Sequence, residues 1–348
     1  MRDTPGDYRV EFTGYCGHED EVLRLRNANR AVVQTRAYLD WRYRTHPGLP
    51  QPRIAWLRDS SGLALGMAAA IYRCFWIDGI ACAVAVLGDI SLDERLRGQG
   101  MGRRLLAGLS GKLASEVGGG RGFVIPTEAA RRSLDALGWR DAGQLISYVC
   151  LVDPAEQLGR RLGNASFARL LASPVRAVLA LSARLQRRRD CRIELVDDFG
   201  ESFDDCWTNL QKSGLIVGDR SGATLRWRYR DHPSRRFRVA SFLRGRELRG
   251  YVVFETTHEG SDLSIQDMLA VERGELPGML AHFVSWCLGQ RGLGAVRVSL
   301  SRGHPYAAGL WRLGFIPREA QARFQVLEPS AQASFVGTWW LNAGDKDI

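Results

Sequence analysis

The sequence predicts an α/β (α+β) fold made of two tandem copies of one domain, each with a mixed central sheet flanked by helices. The first observation is that WRYRTHP at Trp41–Pro47 returns as WRYRDHP at Trp227–Pro233, and a repeated segment of this kind marks a repeated domain. The second is that each copy mixes strand-like and helix-like segments in one order. The third is a series of shorter matches in the same order: Arg9–Phe12 with Arg192–Leu195, Ala64–Tyr72 with Leu248–Thr256, Leu87–Glu94 with Ile265–Glu272, and Leu137–Trp139 with Leu313–Phe315.

The elements of the first copy follow from the spacing of its apolar residues. A helical stretch through the WRYR segment is expected to end at Pro47. Leucines at helical spacing predict an amphipathic helix over Gly102–Val117, and a further helix ends at Leu137 before a turn at Gly138. Alternating or continuous apolar residues predict strands at Tyr8–Phe12, Arg53–Leu57, Leu65–Trp76, Ile80–Ser91, Gly122–Pro126 and Gln144–Leu151.

The repeat also predicts the domain boundaries. The copies occupy residues 1–155 and 191–330, with a basic amphipathic linker at 156–190 and a C-terminal tail at 331–348. The segment Asp153–Arg192 contains nine arginines, and its apolar residues fit one or two helices broken near Pro174. Such a helix can lie on an anionic membrane, so peripheral membrane contact through 156–190 is one interpretation. The other is a linker helix pair that packs across both domains.

Composition narrows the classes of function. The 348 residues are 45% apolar and 25% charged, which is ordinary for a soluble globular protein. The net charge is +10, but no aromatic-and-basic recognition motif accompanies it, so no nucleic-acid partner is expected. The seven scattered cysteines contain no CxxC pair, and no signal peptide is visible, which favours a cytoplasmic protein with reduced thiols. The six histidines form no metal-like cluster, so no metal is expected.

A glycine-rich loop, RLRGQGMGRRLL at Arg95–Leu106, lies between a predicted strand and a predicted helix. Its glycines permit a tight turn, and the exposed N–H groups at the start of a helix attract an anion. A nucleotide-triphosphate loop would need GxxxxGK followed by Ser or Thr, and a dinucleotide loop would need GxGxxG. The sequence has neither, because the final glycine of the second pattern would fall on Arg103 or Leu105. The remaining interpretations are a pyrophosphate site and a glycine turn without a ligand.

Arg97, Gly100 and Gly102 resemble the pyrophosphate-binding motif of the GNAT acyltransferase superfamily. TEAARRSLDALGW, which ends in a Gly-aromatic pair, occupies the place of a helix that GNAT domains commonly have after the loop, and the element order over residues 1–152 is similar too. The resemblance implies a strand whose main chain pairs with the pantetheine arm of acetyl-CoA, and loop amides that cradle the pyrophosphate. The cosubstrate-binding residues that it implies are Ile90, Ser91, Leu92, Arg97, Gly98, Gln99, Gly100, Met101, Gly102 and Arg103.

The second copy departs from this motif. When Gly278 is aligned with Gly100, Glu275 replaces Arg97 and Pro277 replaces Gln99, which removes an N–H group. Leu276 and Leu280 then replace the other two glycines. The resemblance therefore implies an intact N-terminal GNAT domain and a degenerate C-terminal one that does not bind coenzyme A in this way.

Acyl transfer to an amine needs a base, donors for the developing oxyanion and an acid for the departing thiolate. Many GNAT enzymes use as the acid a tyrosine that precedes the Gly-aromatic pair by four residues, but that position is Leu134 here. Asp89 and Glu128 are the candidate bases. Against Asp89, its equivalent Asp267 persists in the copy without the loop, and a carboxylate in the first turn of a helix, like Glu128, is commonly a partner of the helix dipole.

The resemblance implies an acyl-CoA-dependent N-acetyltransferase that moves an acetyl group from acetyl-CoA to an amine of a small molecule or amino sugar. The WRY-x-x-x-P element also resembles GNAT-like proteins associated with bacterial polysaccharide clusters, which favours an amino sugar. Two alternatives stay open: a tRNA-dependent aminoacyl transferase of the peptidoglycan type, and a non-catalytic protein that senses acetyl-CoA.

Overall fold

Strands and helices follow one another in a similar order in the two halves of the chain. The structure is a computed structural model and describes residues 8–44, 46, 48–115, 120–155, 165–188, 190–257, 261–328, 335 and 337–346. The elements of the first half are β1 (Arg9–Thr13), α1 (Glu19–Ala28), α2 (Arg36–Arg42), β2 (Arg53–Arg58), β3 (Ala64–Ile77), β4 (Ile80–Leu92), α3 (Met101–Ala114), β5 (Gly122–Val124), α4 (Glu128–Asp135) and β6 (Arg140–Leu151).

The second half has a similar order after a long helix, with additional strands at Leu215–Gly218 and Thr338–Trp340 and a 3-10 helix at Ala307–Leu313 in the place of α4. Its elements are α5 (Ala165–Gln186), β7 (Arg192–Val196), α6 (Glu201–Asn209), β8 (Leu215–Gly218), α7 (Gly222–Leu225), β9 (Arg238–Arg244), β10 (Glu247–Thr256), β11 (Asp262–Ala270), α8 (Leu276–Leu288), β12 (Ala295–Ser301), β13 (Phe315–Leu327) and β14 (Thr338–Trp340). The predicted α/β (α+β) class is confirmed. The first-half strands lie where the apolar pattern predicts them, except that β6 begins at Arg140 instead of Gln144, because its first four residues include a single apolar one, Ala142.

The chain forms two compact units. Unit 1 comprises residues 1–143, 322–336 and 348, and unit 2 comprises 144–321 and 337–347. The sheet of unit 1 has the order β1-β2-β3-β4-β5-β13, and that of unit 2 has the order β7-β9-β10-β11-β12-β6. The domain boundaries predicted from the sequence repeat describe the two sequence copies, and they stay a prediction. The compact units differ from the copies because the last strand of each sheet comes from the other copy.

Strand pairing in the two sheets is alike. In unit 1 the neighbours pair antiparallel, except that β4 and β5 are parallel. In unit 2 the parallel pair is β11 and β12, and β6 completes the sheet antiparallel to β12, from Leu145 opposite Ser301 to Leu151 opposite Ala295. Strand β13 completes the sheet of unit 1, with Gln325 opposite Val124. The six-strand order of each unit therefore contains one parallel strand pair among antiparallel ones, and in unit 2 β8 and β14 form a further parallel pair outside that order.

Helices α3 and α4 cover one face of the sheet of unit 1. The leucines of the predicted amphipathic helix are buried there, together with Leu87 of β4 and Leu134 of α4; these helix residues are Leu105, Leu106, Leu109 and Leu113. The Gly-aromatic pair ends α4, since Gly138 adopts φ +86° and Trp139 is buried, with its Nε1 donating to Ser110 Oγ at 2.9 Å. Residues 116–119, where the predicted helix Gly102–Val117 ends, lie outside the described residues.

The linker helix α5 runs unbroken from Ala165 to Gln186 and contains Pro174, so the prediction of a break near that proline is wrong. A proline removes one hydrogen bond of the helix, and here the helix continues past it. Within unit 2, α5 packs against α8, and Arg176 Nη2 donates to the carbonyl of Leu288 at 2.6 Å. Residues 156–164 of the linker lie outside the described residues. None of the described helices is long and apolar enough to span a bilayer.

Candidate functional site

A cavity opens in unit 1 where β4 and β5 part. The two strands pair only from Ala85 opposite Gly122 to Leu87 opposite Val124, after which β5 ends while β4 continues to Leu92. The cavity has a volume of about 300 Å³. It is lined by Arg30, Leu87, Gly88, Asp89, Ile90, Gly102, Leu106, Val124, Ile125, Pro126, Thr127, Ala129, Ala130 and Ser133.

A bulge shapes the part of β4 that borders this cavity. Met67 of β3 lies opposite Ser91 and Ala69 lies opposite Gly88, so β4 has one residue more than β3 over this stretch. Asp89 sits within it at φ +50°, a left-handed conformation that Asp and Asn tolerate better than most residues. Of the three strand residues implied by the family resemblance, Ile90 lines the cavity, while Ser91 and Leu92 lie opposite Met67 and Gly66 of β3. Among the described residues, the edge of β4 that faces away from β3 has no strand partner beyond Leu87.

The glycine loop lies at the same end of β4 and leads into α3. Gly98 and Gly100 have φ values of +75° and +77°, and Gly100 is the N-cap of the helix. The main-chain bond from Arg104 N to the carbonyl of Gly100 opens the helix. The N–H groups of Met101, Gly102 and Arg103 therefore have no acceptor within the helix. These groups, together with the helix dipole, favour an anion at this place.

The space in front of this loop is open. A β-carbon added at Gly98, Gly100 or Gly102 would meet no other atom within 4 Å, and Gly102 itself lines the cavity. Two loop side chains are directed to protein partners: Arg97 Nη2 donates to Asn29 Oδ1 at 2.9 Å, and Gln99 Nε2 donates to the carbonyl of Arg95 at 2.7 Å. The predicted loop residues thus lie together at one end of the cavity, with room for a phosphate group at the glycines.

Asp89, the first candidate base, is buried in an ion cluster. Only 3% of the residue is exposed. Its Oδ2 accepts hydrogen bonds from Arg42 Nε at 2.9 Å and from the Tyr43 hydroxyl at 3.0 Å, and its Oδ1 is paired with Arg26. Burial raises the pKa of the Tyr43 phenol to about 12, so the phenol stays a donor to the carboxylate. Both carboxylate oxygens are therefore engaged, and the assignment of Asp89 as the base stays a prediction.

The second copy repeats this cluster and explains the WRYR repeat. Tyr229 donates its hydroxyl to Asp267 at 3.2 Å, and Arg228 lies beside the same carboxylate. The middle Arg and Tyr of each WRYR segment thus hold the equivalent aspartate, Asp89 or Asp267, of their own copy. The sequence alone does not identify this partner, because Arg42 and Asp89 are 47 residues apart in the chain.

Glu128, the second candidate base, lies in the first turn of α4. Its carboxylate pairs with Arg131 at 2.6 Å, and this guanidinium lowers the pKa of Glu128 below its usual value. The residues on either side of it, Thr127 and Ala129, line the cavity, but Glu128 is not among the lining residues. Its role as a base stays a prediction. Leu134, at the position of the family's tyrosine, is fully buried in the core.

The equivalent region of unit 2 is filled by side chains. Glu275, at the position of Arg97, is buried and accepts from Arg249 Nε at 3.0 Å. A β-carbon at Gly278 would lie 2.9 Å from Arg188 Cγ. The hydroxyl of Tyr306 bonds both the N–H and the carbonyl of Ala270, each at 3.1 Å, on the strand equivalent to β4. The cavity beside these residues is only about 40 Å³.

Sequence reasoning missed several residues that line the cavity of unit 1. Arg30 follows α1, and Thr127 and Ser133 belong to the start and the middle of α4. The Thr127 side chain accepts the N-cap hydrogen bond from Ala130 N at 3.4 Å. The signal for Ser133 was present, because it precedes Leu134, the position at which the family's tyrosine is missing. No signal in the sequence pointed to Arg30.

Comparison with known proteins identifies the fold. No protein-family model and no curated protein matches the sequence. One similar structure is a GCN5-related N-acetyltransferase from Anabaena variabilis. The match covers 91% of this chain and 72% of that protein's chain, at 15% identity and a TM-score of 0.66. Another is a GCN5-related N-acetyltransferase from Kribbella flavida. The match covers 92% of this chain and 71% of that protein's chain, at 16% identity and a TM-score of 0.59.

A tandem GNAT protein from the clavulanic acid biosynthesis pathway matches over its whole length. It covers 93% of this chain and 100% of its own, at 14% identity and a TM-score of 0.54. The chain therefore has the tandem GNAT fold, and the resemblance inferred from the sequence is confirmed at the level of the fold.

Proposed function

We propose that the protein is an acyl-CoA-dependent N-acetyltransferase that transfers an acetyl group from acetyl-CoA to the amine of a small molecule, and that unit 1 carries the activity. The observation that carries this proposal is the open cavity between β4 and β5, with the unobstructed N-terminus of α3 at one end. A pyrophosphate fits the loop N–H groups because they lack helix acceptors and lie in the positive field of the helix dipole.

The chain's own residues have separate tasks in this proposal. The edge of β4 beyond Leu87 offers main-chain donors and acceptors to the pantetheine amides. The glycine loop positions the pyrophosphate, and the α4 residues on the cavity wall border the thioester. Asp89 fixes the bulge of β4 through Arg42 and Tyr43, so it positions the strand and does not take the proton. The proton of the amine then leaves to water in the cavity.

The departing thiolate needs a proton donor, and Leu134 cannot supply one. Ser133 carries a hydroxyl on the cavity wall, one residue from the position of the family's tyrosine. Among the described residues, the other cavity hydroxyl belongs to Thr127, which is engaged in capping α4. We therefore assign Ser133 the role of relaying a proton from water to the thiolate.

An amine panel tests the proposed function. Acetyl-CoA is expected to raise the unfolding temperature of the protein, because a ligand that binds the native state stabilises it by mass action. Release of free thiol from acetyl-CoA is then expected with at least one class of small amine, including amino sugars. Absence of any stabilisation by acetyl-CoA would contradict the proposal.

The replacement of the tyrosine by Leu134 favours a second candidate, a protein that binds acetyl-CoA without turning it over. Stabilisation by acetyl-CoA with no thiol release across the panel would support this candidate instead.

A further inference from the structure

Helix α5 of unit 2 presents a row of apolar side chains to solvent. Leu179 and Ala183, on another face of the helix, are buried within unit 2. The exposed apolar residues are Val175, Val178, Leu181 and Leu185, which are 51%, 68%, 57% and 76% exposed. Residues three or four positions apart lie on one face of a helix, so these four form one row, which we call the α5 stripe. Exposed apolar surface with charged residues beside it is typical of a binding site.

An exposed tryptophan lies next to α5. Gln186 Nε2 donates to the carbonyl of Arg312 at 2.9 Å, and Ser182 Oγ donates to the same carbonyl. These bonds hold the end of the 3-10 helix Ala307–Leu313 against α5. Trp311, the residue before Arg312, is 68% exposed, and the Arg312 guanidinium lies 5.5 Å from the centre of its indole ring. Tryptophan is enriched where protein surfaces meet the boundary between a bilayer and water.

Arginines accompany the α5 stripe without acidic residues. Residues 157–189 contain eight arginines and no Asp, Glu or Lys. Arg184 lies beside Leu181 on the helix surface, three residues after it. Arg187 N donates to the carbonyl of Ala183 at 3.0 Å, so Arg187 continues the last turn of the helix. Both arginines are exposed, and neither forms an ion pair within the part of the chain that the structure describes. This side of unit 2 is therefore suited to a partner that is both apolar and anionic.

An anionic bilayer fits this surface better than a second copy of the chain does. A symmetric dimer brings the same patch of both copies together. The arginines of one α5 would then face those of the other, and the helix has no Asp or Glu to pair with them. A bilayer instead offers headgroup phosphates, which guanidinium groups bind through paired hydrogen bonds, and an acyl-chain boundary that takes up apolar side chains.

We propose that unit 2 binds the surface of a bilayer that contains anionic phospholipids, through the α5 stripe, Trp311 and the neighbouring arginines. The apolar side chains enter the boundary between headgroups and acyl chains, and Arg184 and Arg187 bind headgroup phosphates. This binding is a function of unit 2 beyond the acyl transfer proposed for unit 1, and it does not depend on that transfer.

Sedimentation with lipid vesicles tests the inference. The full chain is mixed with vesicles of phosphatidylcholine alone, or of phosphatidylcholine mixed with phosphatidylglycerol. Each arginine near an anionic surface contributes a factor of about five to the binding constant, so the anionic vesicles are expected to bind at least about 10-fold more tightly. Added salt is expected to weaken this preference, because it screens the charges. Equal binding to both kinds of vesicle, or no binding to the anionic ones, would overturn the inference.

A double variant of the α5 stripe tests its apolar part. Leu181→Gln combined with Leu185→Gln is expected to weaken binding to the anionic vesicles at least about 10-fold, because two apolar side chains no longer leave water. Its unfolding temperature is expected to stay close to that of wild type, since both side chains are exposed. The matched control, Val32→Gln combined with Val33→Gln, alters two exposed apolar residues of unit 1 and is expected to bind like wild type. Equal losses in the two variants would overturn the assignment to α5.

A second double variant tests the charges. Arg184→Gln combined with Arg187→Gln is expected to reduce the preference for anionic vesicles about 10-fold or more. The matched control is Arg236→Gln combined with Arg246→Gln, which removes the same charge from two exposed arginines of unit 2 outside α5. Equal losses here would show that the preference follows net charge, and this result would overturn the inference.

Light scattering without vesicles separates membrane binding from self-association. The wild type and the variant that carries both Leu181→Gln and Leu185→Gln are expected to have the same mass in solution. A wild-type dimer that these two substitutions dissociate would overturn the inference and identify the α5 stripe as an interface between copies of the chain.

Discussion

Arg42 Nε lies 2.9 Å from Oδ2 of Asp89, and this ion pair joins helix α2 to the bulge of β4 beside the cavity. The pair has a counterpart in the second copy, where Arg228 lies beside Asp267. The aspartate is therefore kept both in the copy with an open glycine loop and in the copy where the loop is filled. This recurrence indicates that the aspartate stabilises the shared fold.

Removal of the Asp89 charge is expected to lower the free energy of unfolding of the protein. In Asp89→Asn the side chain keeps its shape and tolerates φ +50°, but Arg26 and Arg42 lose their shared carboxylate. Breaking a buried ion pair on one side costs about 3–5 kcal/mol, and the free energy of unfolding in urea measures this loss. The control Asp205→Asn alters an exposed carboxylate of α6 and is expected to change stability by less than about 0.5 kcal/mol. A stable Asp89→Asn protein that binds acetyl-CoA but has no activity would identify Asp89 as the base.

A bulky residue at Gly102 is expected to exclude the cosubstrate while leaving the fold intact. The added side chain of Gly102→Leu extends into the open space at the N-terminus of α3, where no atom lies within 4 Å of the new β-carbon. Gly111→Leu places the same side chain in open space farther along the same helix and is the matched control. Both variants are expected to keep a melting temperature close to that of wild type, and only Gly102→Leu is expected to lose stabilisation by acetyl-CoA. Equal stabilisation of the two variants would argue against the loop as the binding site.

Loss of the Ser133 hydroxyl is expected to slow turnover without weakening cosubstrate binding. Ser133→Ala removes the hydroxyl that we assign to the departing thiolate, so kcat is expected to fall about 100-fold, the lower end of the range for proton-transfer groups. Steady-state thiol release measures kcat, and Ser133→Thr, which keeps a hydroxyl, is the control. An unchanged kcat in Ser133→Ala would show that water protonates the thiolate without this side chain.

Stability is expected to fall in mild acid because of His304 in unit 2. Burial, with a further contribution from Arg220, lowers the pKa of His304 to about 3, whereas an unfolded histidine titrates near 6.5. The stabilisation is fully present above pH 6.5 and is lost as the pH falls toward 3, because the unfolded chain takes up a proton that the native state does not. One such proton corresponds to a slope of about 1.4 kcal/mol per pH unit.

Urea unfolding of the wild type and of His304→Asn between pH 6.5 and pH 5 measures this slope. The asparagine oxygen can accept from Tyr306 N as His304 Nδ1 does at 3.2 Å, so the substitution removes the titration and keeps an acceptor. The variant is expected to lose less stability over this interval than the wild type. Parallel profiles would contradict the assignment.

The sequence repeat and the glycine loop predicted much of the fold and one end of the site. Apolar periodicity located the strands of the first half because most of them bury a large part of their side chains. The loop could be located because Gly98 and Gly100 occupy left-handed conformations that few other residues adopt. The substitutions around Gly278 predicted that the second copy lacks an open loop. In the structure, Glu275 and Arg188 fill this region.

Other features depend on contacts between distant segments, and the sequence alone does not reveal them. β6 and β13 both contain apolar residues that suit a sheet, and their pattern does not say that β13 pairs with β5 and β6 with β12. The partner of the WRYR arginine and the position of Arg30 at the cavity both depend on how α1 and α2 pack on the sheet. The prediction of a break at Pro174 was wrong because a long helix that packs on a neighbouring helix can accommodate a single proline.

Calorimetric titration with acetyl-CoA tests most directly the claim that one unit binds the cosubstrate at the N-terminus of α3. The wild type is expected to bind one acetyl-CoA per chain, and Gly102→Leu is expected to bind none while remaining folded. A stoichiometry of two, or undiminished binding by Gly102→Leu, would contradict the claim.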